Sequence, residues 1–70
     1  MIRVPVNSSN IDSIGYDEDK MVLEIAFKGG GIYRYYNVPE IVHIGLMEAP
    51  SHGKYFHSEI KGEYTYERIN

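Results

Sequence analysis

The chain contains no cysteine. That excludes a disulfide staple and a thiolate metal site, two devices small domains often rely on. It also lacks any hydrophobic run near the roughly 18 residues needed to cross a bilayer, so no membrane partner is expected. The opening stretch, MIRVPVNSSN, has one positive charge and no apolar centre, unlike a secretory leader, and cytoplasm is the expected setting. No segment is biased or charged enough to read as a disordered tail. A positive surplus is missing too: seven Lys and Arg stand against ten Asp and Glu, a net charge of −3. The basic residues Arg3, Lys20, Lys28, Arg34, Lys54, Lys61 and Arg68 are scattered along the chain. Proteins that track a nucleic-acid backbone usually cluster such residues, so a small anionic partner is favoured over a long polyanion.

Seventy residues make one domain, 1–70, with residues 1–7 read as an N-terminal arm. A chain of this size buries only about 60% of its unfolded surface. With no covalent staple, it must rely on a compact core, on self-association, or on both.

The periodicity supplies the elements. Ile11–Tyr16 reads as a short strand and Asp17–Lys20 as a solvated turn. Met21–Phe27 alternates, with Met21, Leu23, Ile25 and Phe27 on one face and Val22, Glu24 and Ala26 on the other. KGGG (Lys28–Gly31) offers the positive φ angles of a tight hairpin. Ile32–Tyr36 returns, with Tyr33 and Tyr35 on one face and Ile32, Arg34 and Tyr36 on the other. Asn37 and Glu40 stand in capping-box positions before a helix over Glu40–Ala49. Its apolar stripe is read as Ile41, Ile44 and Met47, widened by Val42 and Leu46, and Pro50 ends it. Ser51–Gly62 reads as a second short helix capped by Ser51, with Tyr55, Phe56 and Ile60 inward. Glu63–Ile69 alternates again as a closing strand. The expected fold class is α+β: a small antiparallel sheet in the order β-β-β-α-α-β, with one or two short helices packed on one face.

Catalytic signatures are also lacking. His52 and His57 are five residues apart, which is not the i, i+4 spacing that brings two ligands together on a helix, and no metal is expected. No serine sits in a nucleophile elbow. The glycine run lies between two strands and has no P-loop pattern. The reading is therefore a non-enzyme without a cofactor. One anion-binding candidate remains at the start of the second helix, where Ser51, His52, Gly53 and Lys54, followed by Tyr55, offer a hydroxyl, free backbone N–H groups and a charge.

What the chain does have is tyrosine, seven in all, five of them gathered in GGGIYRYYNVPE and EYTYERI. A buried tyrosine hydroxyl needs a partner, whereas a ligand surface gains from rings that stack and hydroxyls that bond. Cross-strand packing is the plain explanation for them. The other is a stacking platform. If Met21, Leu23, Ile25 and Phe27, with Ile41, Ile44 and Met47, already supply the core, Tyr33 and Tyr35 are expected on the opposite sheet face. The pattern leaves the hairpin register open, and in the other register Arg34 and Tyr36 exchange roles with them.

The segments SSNIDSIGYD, LEIAFKGGGIYRYYNVPE, SHGKYFHSEIKG and YTYERI together resemble the KTSC domain, named for the C-terminus of certain lysyl-tRNA synthetases. The likeness runs from about Ser8 to Ile69. The family's central Tyr-x-Tyr falls on Tyr33 and Tyr35, its GKYF on Gly53–Phe56 and its terminal strand on Tyr64–Ile69. The resemblance implies a small stand-alone α+β module, carried by bacteria and their viruses, with RNA binding suggested by the synthetase fusion.

These readings combine into one expectation: a non-catalytic module that binds a small nucleotide-type ligand, acting as a virus-borne sponge for a host nucleotide signal. The site is expected among Tyr33, Arg34, Tyr35, Tyr36, Ser51, His52, Gly53, Lys54, Tyr55, Tyr64, Tyr66 and Arg68. Single-stranded RNA or tRNA binding is the first alternative and a protein-interaction adaptor the second. A homo-oligomer is expected in each case.

Overall fold

The computed structural model describes residues 1–70. Five strands form one antiparallel sheet in sequence order: β1 (Val4–Pro5), β2 (Ile11–Asp17), β3 (Val22–Phe27), β4 (Ile32–Tyr35) and β5 (Tyr66–Arg68). Between β4 and β5 the chain leaves the sheet to form α1 (Glu40–Glu48), α2 (His52–Tyr55) and a π-helical turn over Phe56–Ile60. The α+β expectation holds. The expected N-terminal arm supplies the fifth strand, because Val4 and Pro5 pair with Ile14 and Ser13.

The core lies between the sheet and the helices. Ile11, Ile14, Leu23, Ile25, Tyr35, Val38, Leu46, Phe56 and Ile60 form one buried cluster. Met21 is not part of it. The residue sits in the turn before β3 with φ 56°, and the strand begins at Val22.

The helix entry departs from the capping-box expectation. Asn37 takes a left-handed φ of 59°, and Pro39 is the cap residue with no side-chain bond. That turn drives Val38 inward, where its N–H donates to the Met21 carbonyl at 2.9 Å. Val38, Val42 and Leu46 then follow at i, i+4 and i+8 and face the core. The expected stripe is corrected accordingly: Ile41 is 72% exposed and Ile44 41%, while Leu46 is fully buried. A second contact sets the same rotation. Tyr55 lies over Gly45 so closely that a Cβ there would sit 2.2 Å from its hydroxyl.

The second helix is a composite. Ser51 caps it as expected, its hydroxyl accepting from the Lys54 N–H at 3.2 Å. Beyond Tyr55 it widens: the Lys61 N–H reaches the Phe56 carbonyl at 2.9 Å, five residues back, and Gly62 at φ 83° ends the turn.

These burials give a direct test by urea unfolding. Leu46→Ala should cost roughly 2–5 kcal/mol. Ile44→Ala should stay within about 0.5 kcal/mol of wild type. Equal losses would show that the helix presents the other stripe.

Candidate functional site

The β3–β4 register pairs Leu23 with Tyr35 and Ile25 with Tyr33. Paired residues share a face, so both tyrosines stand on the core side of the sheet. This corrects the expectation that they occupy the opposite face. Across β4 and β5, Tyr35 pairs with Tyr66 and Tyr33 with Arg68, which adds both partners to that side.

The helices cover only part of this face. Beside them lies a groove of about 680 Å³, lined by twelve residues from the β2 entry, the glycine turn, β3, β4, the π-helical turn and β5. Its floor is aromatic. Tyr35 and Tyr66 stand 5.7 Å apart between centroids, Tyr33 and Tyr66 5.9 Å, and Tyr33 and Tyr35 6.5 Å. Phe56 meets Tyr35 edge-on at 5.5 Å, and Phe27 meets both Phe56 and Tyr33 edge-on. Edge contacts lock the inner rings in place, while Tyr66 remains 61% exposed.

Tyr35 has a double character. Its body is buried, at 5% exposure, yet its hydroxyl has no protein partner and no buried side-chain polar atom is unsatisfied. The hydroxyl therefore opens onto the groove. Burial, with Tyr33 and Tyr66 beside it, pushes its pKa up to about 12, so the phenol stays protonated and can donate.

The charges around the groove are of one sign. Lys61 and Arg68 line it, with His57 beside them, and no Asp or Glu is among the lining residues. In a chain of net charge −3 that is a clear segregation. Asn70 holds Arg68 and the rim together. Its side-chain oxygen accepts from the Ile32 N–H at 3.0 Å and from Arg68 Nε at 3.2 Å, and its amide donates to the Gly30 carbonyl at 2.8 Å.

Of the residues singled out from sequence, the groove gathers Tyr33, Tyr35, Tyr66 and Arg68. Tyr64 borders a shallower hollow of about 520 Å³ along Gly62–Tyr66. Ser51, His52, Gly53, Lys54 and Tyr55 do not line the groove. Ser51 caps its own helix, a ring nitrogen of His52 bonds the Leu46 carbonyl at 2.7 Å, and Gly53 fits against Asn10. Tyr55 covers Gly45. Phe27, Phe56, His57 and Lys61 line the groove without having been singled out. The only signal for His57 and Lys61 was their i, i+4 spacing.

Arg34 and Tyr36 are on the other face. Arg34 Nε donates to Glu24 at 2.8 Å, Arg3 grips the second oxygen of the same carboxylate, and Tyr36 bonds Glu67. Glu24 is only 3% exposed. Burial opposes its ionisation, but hydrogen bonds from Arg34 and Arg3, with their charges, outweigh it and hold the carboxyl below its ordinary value.

The comparisons with known proteins agree with one another. A family model described as KTSC domain matches residues 7–64. The chain is similar to the crystal structure of a KTSC domain protein from Yersinia pestis, with a TM-score of 0.97 and 46% identity over 99% of this chain and 97% of that one. An uncharacterized protein of Stutzerimonas stutzeri is 42% identical, with both chains fully covered. A lysine--tRNA ligase of a Nostoc species is 40% identical over 62 residues, which are 89% of this chain and 11% of that protein.

The Glu24 pairing yields a pH test. Its folded pKa lies below that of an unfolded glutamate, about 4.3. Between the two values the unfolded chain holds more protons, so stability is present above the window and is lost as pH falls through it. Glu18, hydrogen-bonded to Glu40 and shifted up, works in the opposite sense, so Glu24→Gln is the control. Urea midpoints from about pH 5 down to about pH 2 should fall more steeply for wild type than for Glu24→Gln. Parallel curves would remove the pair from the balance.

Proposed function

This chain belongs to the KTSC domain family, and we propose that it is a non-catalytic binding module for a small nucleotide-type ligand. The observation that carries the reading is the groove itself, where aromatic side chains and a rim of Lys61 and Arg68 occur without a single lining carboxylate. Its volume falls within the range of ordinary ligand sites, roughly 300–1,000 Å³. A base stacks on Tyr33 or Tyr66, the Tyr35 hydroxyl bonds its edge, and the phosphate lies toward Lys61 and Arg68. No Asp or Glu lines the groove alongside His57 to complete an acid–base pair there. Binding without chemistry serves sequestration or sensing, and a virus-borne sponge for a host nucleotide signal fits that use. Arg34, held by Glu24 on the far face, has no part in this site.

A second reading has its own support. Lysine--tRNA ligases carry a stretch similar to this chain. Single-stranded RNA would use the same rings, but its affinity should fall steeply with salt as counterions are released.

A thermal-shift screen against mononucleotides, ADP-ribose derivatives and cyclic dinucleotides tests the first reading. At least one should raise the melting temperature, and Tyr33→Ala should weaken that ligand by about 5- to 150-fold, the equivalent of one lost stack. No shift with any of them at millimolar ligand would sink the proposal. Steep salt dependence with an RNA oligomer instead would favour the second reading.

Tyr35 separates fold from site. Tyr35→Phe should fold normally and bind more weakly, because only the hydroxyl facing the groove is removed. Tyr35→Ala should cost roughly 3–5 kcal/mol of stability, as a buried ring does. Unchanged binding by Tyr35→Phe would take that hydroxyl out of the site.

A further inference from the structure

The two edges of the sheet differ. On one side β1 is two residues long and contains Pro5, and Arg3 turns inward to Glu24. A short strand, a proline and an inward charge are the usual guards against edge pairing. On the other side β5, three residues long, has neither a proline nor an inward charge, and all three of its residues are exposed. Thr65 accepts from the Tyr36 N–H and the Ile69 N–H donates to Ile32, each at 2.9 Å, so these groups face β4. Alternation then points the backbone N–H and C=O of Tyr66 and Arg68 away from β4, at the open edge. The hollow along Gly62–Tyr66 lies beside that edge.

The geometry points to β5 as the pairing edge for a second copy of this chain, in an antiparallel two-fold arrangement centred on Tyr66. The register follows from charge. Centring on Glu67 would set two carboxylates face to face, and centring on Arg68 would do the same with two guanidinium groups. Centring on Tyr66 places Tyr66 against the partner's Tyr66, Glu67 against the partner's Thr65 and Arg68 against the partner's Tyr64. No like charges meet, and each arginine gains a ring. A two-fold axis provides all these matches twice from one sequence, which is why a second copy fits this edge.

The consequence reaches the groove. Tyr33, Tyr35 and Tyr66 share one sheet face, so pairing through β5 joins the two aromatic floors into one row with Tyr66 of both copies at its centre. A ligand with two bases, or two ligands side by side, then finds rings from both subunits. The shared row rests on the ligand reading above, whereas the pairing itself does not.

Thr65 is exposed and lies outside the groove lining, which makes it the probe. Thr65→Glu sets two like-charge pairs against Glu67 of the opposing copy and should raise the dimer dissociation constant by about tenfold. Thr65→Lys reverses the sign and should keep the dimer. Light scattering after size exclusion at micromolar protein reads the mass, expected at twice the 8.1 kDa of one chain for wild type and for Thr65→Lys. A wild-type monomer would overturn the pairing, as would a dimer indifferent to both substitutions. Nucleotide titration of the same samples keeps the two claims apart. A monomer that binds leaves the ligand site standing without the shared row, and a dimer that binds nothing leaves the edge pairing standing without the ligand.

Discussion

The register of the β3–β4 hairpin decides what each side of this sheet can do. The Phe27 N–H donates to the Gly31 carbonyl at 2.8 Å, and the Gly30 N–H returns to Phe27 at 2.9 Å. Only Lys28, Gly29 and Gly30 remain to turn the chain, with Gly30 at φ 108°. That closure sets Tyr33 against Ile25 and Tyr35 against Leu23. Strand side chains alternate, so a slip of one residue would send both tyrosines to the other face and put Arg34 into the core. Everything that defines the groove depends on that slip not occurring.

The far face reinforces the register. Glu24 pairs with Arg34 across the hairpin, and Arg3 reaches the same carboxylate from the β1 side. In a shifted register the buried carboxylate would lose Arg34, and a buried charge without its partner is costly, roughly 3–5 kcal/mol. The ion cluster and the aromatic floor are therefore two readings of one strand alignment. The same division explains why positive charge is available at the groove. Arg3 and Arg34 are held by Glu24, while Lys61 and Arg68 face a lining without carboxylates.

The sequence made some of this legible. Alternation located β3 and β4, the glycines located the turn, and Ser51 marked a real cap. The face of the tyrosines was hidden because a three-glycine turn can close in more than one register, and each register reverses the faces. The helix stripe was hidden because α1 carries two apolar sets at helical spacing, Ile41 with Ile44 and Val42 with Leu46. The choice is made by Val38 entering from the loop and by Tyr55 closing on Gly45, neither of which is local to the helix pattern. His57 and Lys61 reach the groove from the π-helical turn and its end, a helix form that the sequence pattern did not mark. The family resemblance drawn from the motifs agrees with the match over residues 7–64.

The central claim is that one side of this small sheet receives a ring-bearing anion. A backbone amide NMR titration with a mononucleotide or dinucleotide tests it most directly, because it reports both faces at once. The account expects the largest shifts at Tyr33, Tyr66, Arg68 and Lys61, with Arg3, Glu24 and Arg34 nearly unmoved. Shifts confined to the Arg3–Glu24–Arg34 face, or none at millimolar ligand, would contradict it.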